Sequence, residues 1–161
     1  MKRTKKIKFI LTAVVILTFC QSPISFNAAE KPYTISGKTL IPTVKKDKDI
    51  SKNVNIALKK ASLLGEKGKT YTVKIPQNTY YISESLKVWS NTKLDTTNCV
   101  IRAKKTGFNM IATGSSEDNQ KFTGYKRYRN ITIVGGTWIN SKKNTSSGIR
   151  LCRGSNITIK I

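Results

Sequence analysis

Apolar residues recur at helical spacing in one part of the chain, residues 50–64. They fall at i, i+4, i+7, i+8, i+11 and i+14, which is one face of an amphipathic helix: Ile50, Val54, Ala57, Leu58, Ala61 and Leu64. Ser51 or Asn53 can cap the start of this helix, and Gly65 suits a left-handed C-cap. The pattern predicts a helix over residues 51–65, the one convincing helix of the sequence.

Short apolar segments separated by turn signals follow the helix. They predict strands over residues 71–75, 79–82, 86–89, 92–95, 99–102, 110–113, 131–134, 137–139, 149–152 and 157–161. Strands of three to five residues are shorter than is usual in β-sandwiches. A polar stretch at residues 114–130 interrupts them. Residues 30–50, with two prolines and the mixed-charge run KKDKD, are expected to form an extended lead-in segment.

The first 29 residues have the pattern of a secretory signal peptide. Residues 1–8 hold five basic residues, residues 9–20 (FILTAVVILTFC) are apolar apart from two threonines, and small residues follow at Ala28-Ala29. The run is shorter than the about 20 residues of a membrane-spanning helix. Acylation of Cys20 is the disfavoured alternative, because bulky Phe19 precedes it. We expect cleavage near Ala29 and a secreted or cell-surface protein without a stable membrane anchor.

An irregular repeat organises the strands. Asn130-Ile131-Thr132-Ile133 recurs 26 residues later as Asn156-Ile157-Thr158-Ile159, and residues 90–94 (SNTKL) are a looser copy 39 residues earlier. Periods in the twenties predict a solenoid whose coils stack on one another. Each asparagine can adopt a left-handed turn conformation and bond its amide to the equivalent asparagine one coil away. The isoleucines would then point inward and the threonines outward.

Two other solenoids fit less well. Leucine-rich repeats have similar periods but need a leucine skeleton that this sequence lacks, and left-handed β-helices need six-residue steps that are not found. We therefore predict an all-β fold, a right-handed parallel β-helix, with residues 51–65 as its N-terminal capping helix. Residues 66–161 would form three to four coils of an incomplete β-helix, because no C-terminal cap follows the strand at the end of the sequence.

The order of segments resembles the N-terminal coils of the pectin lyase-like superfamily, nearest to the branch of polygalacturonases and their uncharacterised bacterial relatives. The segments are an apolar helix, then TVKIPQNTYYIS, SLKVWSNTKL, NITIVGGTW and GIRLCRGSNITI. The resemblance covers roughly residues 51–161, and its motifs are specific for the fold but not for chemistry. It implies a protein that in full-length form degrades or binds an acidic, pectin-like polysaccharide.

The catalytic residues of that branch find no match in this sequence. Its members use paired aspartates, a histidine and a basic pair, whereas the 161 residues include no histidine and no Asp-Asp pair. Beyond the helix, the acidic candidates are Glu84, Asp95, Glu117 and Asp118, with Asp95 expected in a turn and the last two in a polar loop. We assign no catalytic residue, leave open whether the protein is an enzyme, and expect this chain itself to be inactive.

Composition narrows the chemistry further. The absence of histidine excludes Ser-His-Asp and Cys-His catalysis and removes the commonest zinc ligand, so we expect no metal and no cofactor. Cys99 and Cys152 remain after residues 1–29 are removed. Export permits a disulfide between them, and unpaired buried thiols are the alternative. Trp89 and Trp138 could bind sugar or serve as packing residues.

Positive charge is the remaining functional signal. The chain has 30 Lys and Arg against 8 Asp and Glu, a formal charge of +22, and removing residues 1–29 leaves +17. The candidate substrate-binding residues lie in the stretch KFTGYKRYR, where aromatic and basic side chains alternate: Tyr125, Lys126, Arg127, Tyr128 and Arg129. The expected partner is an acidic polysaccharide or an anionic cell wall, not nucleic acid. A non-catalytic, wall-binding or adhesive β-helix is the alternative function.

Overall fold

The computed structural model describes residues 30–66, 68–115, 124, 127–141 and 147–161. The predicted signal peptide, residues 1–29, lies outside them. The described residues form one helix and twelve strands: β1 (Tyr33–Ser36), β2 (Thr39–Pro42), α1 (Ser51–Leu64), β3 (Tyr71–Lys74), β4 (Thr79–Ile82), β5 (Leu86–Val88), β6 (Thr92–Asp95), β7 (Val100–Ala103), β8 (Ile111–Thr113), β9 (Tyr128–Val134), β10 (Thr137–Ile139), β11 (Ile149–Arg150) and β12 (Gly154–Lys160). The fold is therefore mostly β, as predicted.

Successive strands from β3 onward join three sheets in turn. The first sheet has the order β1-β2-β3-β6-β9-β12, the second β10-β7-β4 and the third β11-β8-β5. Within each sheet the neighbouring strands are parallel, apart from the antiparallel pair β1–β2. From β3 onward, neighbouring strands within a sheet are therefore three strands apart in chain order.

The pairing register confirms the repeat found in the sequence. Thr92 is aligned with Ile131, and Ile131 with Ile157, so the segments at 92, 131 and 157 occupy equivalent positions. Tyr71 of β3 is aligned with Thr92 and adds one further, unpredicted copy. The polar stretch at residues 114–130 runs from the end of β8 into β9, and most of it lies outside the described residues.

Three asparagines form a hydrogen-bonded ladder along the first sheet. Asn130 Nδ2 donates to Asn91 Oδ1 at 2.8 Å, and Asn156 Nδ2 donates to Asn130 Oδ1 at 2.7 Å. All three have positive φ, between 52° and 59°. Asparagine tolerates this left-handed conformation better than most residues, which explains its choice at each position.

Aligned inward side chains make the core. One row runs through Leu40, Val73, Leu94 and Ile133, each 0% exposed. Full burial of each such side chain stabilises the fold by about 1.5–3 kcal/mol. The row continues at Ile159, which is 44% exposed because β12 is the last strand of its sheet.

Helix α1 packs its apolar face on the strands, as its periodicity predicts. Val54, Ala57, Leu58 and Ala61 are fully buried, and the helix contacts β2, β3, β5 and β6. Its predicted caps are wrong at the N-terminus. Asp49 Oδ1 accepts the hydrogen bond from the Ser51 N–H at 2.9 Å, with Ile50 at the cap position.

The side chains predicted as caps are used by neighbouring segments instead. Ser51 Oγ accepts a hydrogen bond from the Ser83 N–H at 3.0 Å, and Asn53 Nδ2 donates to the Thr43 carbonyl at 2.6 Å. Gly65 does end the helix, but with φ of −83° and not in the predicted left-handed conformation. A Cβ on Gly65 would lie 2.7 Å from the Lys69 carbonyl oxygen and 2.9 Å from Asn91 Cβ, so close approach explains this glycine.

The lead-in segment, residues 30–50, contains more structure than the sequence predicts. Strands β1 and β2 form a hairpin in which Tyr33 is aligned with Pro42 and Ser36 with Thr39. Gly37, with φ of 55°, lies in the turn. Because β2 also pairs with β3, the hairpin extends the first sheet beyond the strands that follow the helix.

Candidate functional site

A cleft of about 440 Å³ lies between the C-terminal half of α1 and the segments that lead into β6 and β9. We call it the basic cleft. The lining side chains on which the site's chemistry depends are those of Lys59, Ser62, Glu66, Trp89, Arg127 and Arg129.

Backbone hydrogen bonds fix the position of the cleft floor. Asn91 Nδ2 donates to the Gly65 carbonyl at 2.9 Å, which ties the end of α1 to the asparagine ladder. The Asn91 N–H donates to the Arg129 carbonyl at 2.9 Å, and the Arg129 N–H donates to Ser90 Oγ at 3.2 Å. The helix end and the start of β9 are therefore held together by bonds on both sides of Asn91.

A stack of one cation and two aromatic rings forms a wall of the cleft. Lys59 Nζ lies 3.7 Å from the centroid of the Trp89 ring, a cation–π contact. Trp89 meets Tyr128 edge-on, with ring centroids 6.0 Å apart and an angle of 72° between the planes. A Cβ on Gly114 would overlap the Tyr128 hydroxyl, so glycine is needed where β8 ends.

The two arginines differ from Tyr128 in exposure. Tyr128 is 2% exposed and belongs to the core, whereas Arg127 and Arg129, one residue to either side, are exposed and line the cleft. Arg129 follows Tyr128 in β9, where successive side chains point to opposite faces, and Arg127 directly precedes the strand. Together with Lys59, the arginines give the described part of the cleft three cationic side chains and one carboxylate, that of Glu66.

The two guanidinium groups, of Arg127 and Arg129, decide which chemistry the cleft offers. Guanidinium groups offer planar pairs of N–H donors that match a carboxylate. The chemistry that the cleft offers is therefore recognition of an anionic group beside an aromatic surface.

The candidate binding residues from the sequence divide into three groups. Arg127 and Arg129 line the cleft, as a binding role requires. Tyr128 is buried, so its ring is not available for stacking on a sugar from solvent. Tyr125 and Lys126 lie outside the described residues.

Lys59, Ser62 and Glu66 are cleft residues that the sequence did not single out. Lys59 and Ser62 are three residues apart on α1, a spacing that by itself indicates only a solvated helix face, and Glu66 lies just beyond the end of the helix. These residues become part of a site because α1 lies beside residues 89–91 and 127–129. That placement depends on the sheet register. Trp89 packs against Lys59 and Tyr128 and also lines the cleft, so its position is compatible with both roles that the sequence left open.

Asp95 has the turn role that the sequence predicts. Its Oδ1 accepts hydrogen bonds from the Thr97 N–H at 3.1 Å and from Thr97 Oγ1 at 2.7 Å. Burial raises the pKa of the Asp95 carboxyl. The hydrogen bonds from Thr97 and the nearby positive charges of Lys93 and Lys74 together outweigh burial and hold this pKa below its ordinary value. Glu117 and Asp118, the other acidic candidates near the cleft in sequence, lie outside the described residues.

Cys99 and Cys152 are both free thiols. Cys99 is buried, its Sγ lies 3.3 Å from the Pro76 carbonyl oxygen as a donor, and burial raises the pKa of the thiol. Cys152 is partly exposed, and its backbone exchanges two hydrogen bonds with Thr113 Oγ1. The unpaired alternative therefore describes these two cysteines.

The described residues contain neither a candidate metal cluster nor a candidate membrane-spanning helix. No group of three or more His, Cys, Asp or Glu side chains that could hold a metal ion occurs among them. Nor does the described part of the chain contain a helix of the length and apolarity needed to cross a bilayer.

Comparison with known proteins gives no match. No family model, no curated protein and no solved structure matches the chain.

Proposed function

We propose that this chain belongs to an exported right-handed parallel β-helix protein that binds an acidic, pectin-like polysaccharide through the basic cleft. The observation that carries the proposal is that Arg127, Arg129 and Lys59 line one cleft together with Trp89. An aromatic surface flanked by guanidinium groups matches a chain of sugar rings that each bear a carboxylate.

The strand order supports the β-helix part of the proposal. Three parallel sheets that receive successive strands in turn are the pairing pattern of such a fold. Helix α1, which contacts β2, β3, β5 and β6, would cover the end of the stack. The resemblance of residues 51–161 to the pectin lyase-like superfamily agrees with this arrangement.

Binding, not cleavage, is the activity that the cleft geometry favours. Glycoside hydrolysis uses two carboxyl groups that face each other across one cleft. Glu66 is the acid among the described residues that line the basic cleft. The formal charge of +17 outside residues 1–29 would add attraction to an anionic cell wall over a longer range.

The test measures affinity of the purified full chain for polygalacturonate and for a neutral galactan. The double variant Arg127→Gln/Arg129→Gln should weaken polygalacturonate binding by about tenfold or more, because each charge-assisted hydrogen bond contributes about 1.5–3 kcal/mol. The matched control is Arg102→Gln/Arg150→Gln, which removes two exposed arginines from other sheets and leaves the same net charge.

Three outcomes decide the proposal. Loss with the cleft variant and retention with the control supports it. Equal losses in the two variants would show that overall charge, and not the cleft, attracts the polysaccharide. Absence of binding by the unmodified chain at low salt would overturn the proposed function outright.

A further inference from the structure

A second concavity lies along the outer face of α1, on the other side of Lys59 and Trp89 from the basic cleft. Its volume is about 530 Å³, and we call it the apolar groove. Ile56 and Leu63 lie in it, exposed by 38% and 49%, and Tyr33 of β1 and Trp89 add aromatic surface.

The two aliphatic side chains in the groove are not needed by the protein core. Helix α1 already buries a complete inward stripe that includes Val54, Leu58 and Ala61. Ile56 and Leu63 are seven residues apart, which places them two turns apart on the outward side of the same helix. A helix with one buried apolar face and a second apolar strip toward solvent has surface available for a partner.

Lysines surround this strip. Lys59, Lys60 and Lys87 line the groove, and none of the described residues that line it is acidic. Lys87 forms an ion pair with Glu84, whose carboxylate lies 3.8 Å from Lys87 Nζ, and both of these side chains are exposed. An apolar floor inside a ring of lysines is complementary to a partner with an apolar interior and an anionic surface.

We propose that the apolar groove docks reversibly on the surface of a bilayer that contains anionic lipids. Ile56 and Leu63 enter the boundary between headgroups and acyl chains, and the lysines face lipid phosphates. Tyr33 and Trp89 lie at headgroup depth, where amphipathic aromatic rings are favoured. This interaction goes beyond the proposed polysaccharide binding. Lys59, Leu63 and Trp89 line both the groove and the basic cleft, whereas Arg127 and Arg129 line the cleft and not the groove.

A lipid surface fits the groove better than an acidic protein does. The strip combines two aliphatic and two aromatic side chains with basic residues alone at its rim, which is the composition of helices that lie in the bilayer interface. Long lysine side chains can extend along the apolar surface and keep their ammonium groups at the phosphates.

The first experiment locates the contact with vesicles of phosphatidylcholine alone or mixed with phosphatidylglycerol. In the full chain with Trp138→Phe, Trp89 is the remaining tryptophan, and brominated acyl chains quench a tryptophan that reaches the bilayer interface. We expect quenching of Trp89 by the anionic vesicles and little by phosphatidylcholine. In the converse variant, Trp89→Phe, the remaining Trp138 should stay unquenched. Quenching of Trp89 and not of Trp138 distinguishes contact through the groove from contact through residues 1–29 alone.

The second experiment uses two matched variants of the full chain. Ile56→Ser/Leu63→Ser should lower partition into anionic vesicles by about tenfold. Ile35→Ser/Ile41→Ser is the control, because these residues are equally exposed, by 49% and 37%, but lie on the β1–β2 hairpin. Lys60→Gln/Lys87→Gln should lower partition by about fivefold for each charge removed. If the serine variant does not fold, this lysine variant is used as the test instead.

Unquenched Trp89 in anionic vesicles, or equal partition of the two serine variants, would overturn the proposal. Binding of poly-glutamate that is lost in Ile56→Ser/Leu63→Ser, with no quenching by vesicles, would assign the groove to an acidic protein and equally overturn it.

Discussion

Asparagine at positions 91, 130 and 156 meets two requirements at once. The backbone there is left-handed, and the side chain takes part in the ladder through its amide, which can donate one hydrogen bond and accept another. Asn130 is the middle member and makes both bonds. Other residue types meet one requirement only: glycine suits the backbone, and glutamine offers the amide on a longer side chain.

Asn130→Ala should lower the free energy of unfolding by about 2–3 kcal/mol. Two hydrogen bonds contribute about 1 kcal/mol each, and alanine adds about 1 kcal/mol of strain in the left-handed region. Asn130→Gly relieves that strain and should cost less than the alanine variant. Urea unfolding of both variants measures the difference.

The control for this prediction is Asn98, which is exposed, has φ of 60° and lies outside the ladder. Asn98→Ala should show the strain alone, about 1 kcal/mol. If Asn130→Ala and Asn98→Ala cost the same, the ladder bonds add no stability.

The Asp95 carboxylate makes stability depend on pH in acid. Because its pKa in the folded state is below its ordinary value, the contribution of Asp95 is fully present above about pH 4 and is lost as pH falls through the folded-state pKa. Asp95→Asn should therefore lower the free energy of unfolding by about 1 kcal/mol at neutral pH. The deficit should shrink in acid, as measured by urea unfolding at a series of pH values.

Asp47→Asn is the matched variant for Asp95→Asn. Asp47 is exposed in a turn with φ of 54°, a conformation that asparagine also accepts. A deficit for Asp95→Asn that stays constant down to the acid limit would contradict the role given to the Thr97 hydrogen bonds.

At the scale of the element, the end of α1 lies very close to the chain segments that lead into β3 and β6. Gly65→Ala should lower the free energy of unfolding by about 1–3 kcal/mol, because the new Cβ meets the Lys69 carbonyl oxygen in the connection to β3 and also meets Asn91, which the asparagine ladder holds in place. Gly148→Ala, at a glycine with open space around its Cβ position, should cost little. Thermal unfolding of the two variants compares them, and equal midpoints would contradict the close-packing explanation.

The strands could be predicted from the sequence because their signals are local. Apolar alternation and turn residues gave ten strands between residues 71 and 161, and the structure has a strand in each of those segments. Strand β9 begins at Tyr128, earlier than predicted, because pairing with β12 extends it into a stretch rich in Lys and Arg. The β1–β2 hairpin was missed because neither short strand alternates clearly, and each depends on its partner.

The basic cleft was only half predictable for the same reason. Arg127 and Arg129 could be found from local composition, in which basic and aromatic residues alternate. Lys59 and Glu66 could not, since they join the site through the alignment of a helix with a strand more than 60 residues away in sequence. That alignment depends on Asn91 bonding to both Gly65 and Arg129, and no composition pattern encodes it.

At the scale of the whole molecule, we expect the chain to tolerate insertions in some connections between strands and not in others. A short Gly-Ser insert after Gly124, which is exposed and has open space around it, should lower the free energy of unfolding by less than about 1 kcal/mol, because loop-closure cost grows slowly with length. The same insert between Gly135 and Gly136 should be far more destabilising. There the Gly135 N–H donates to the Lys160 carbonyl and the Gly135 carbonyl accepts from Thr96 Oγ1.

Chemical denaturation of the two insertion variants tests this contrast. Similar losses at the two positions would mean that the connection before β9 is as constrained as the one before β10.

Along the asparagine ladder, separation in sequence does not measure separation in space. Its steps of 39 and 26 residues join side chains that are each one hydrogen bond apart. Location along the stack is therefore measured in rungs and not in residue numbers. A search for a constant period averages over unequal steps and blurs the repeat, whereas a search for the recurring asparagine with its following strand recovers it. Two such chains could share every rung and still differ greatly in length.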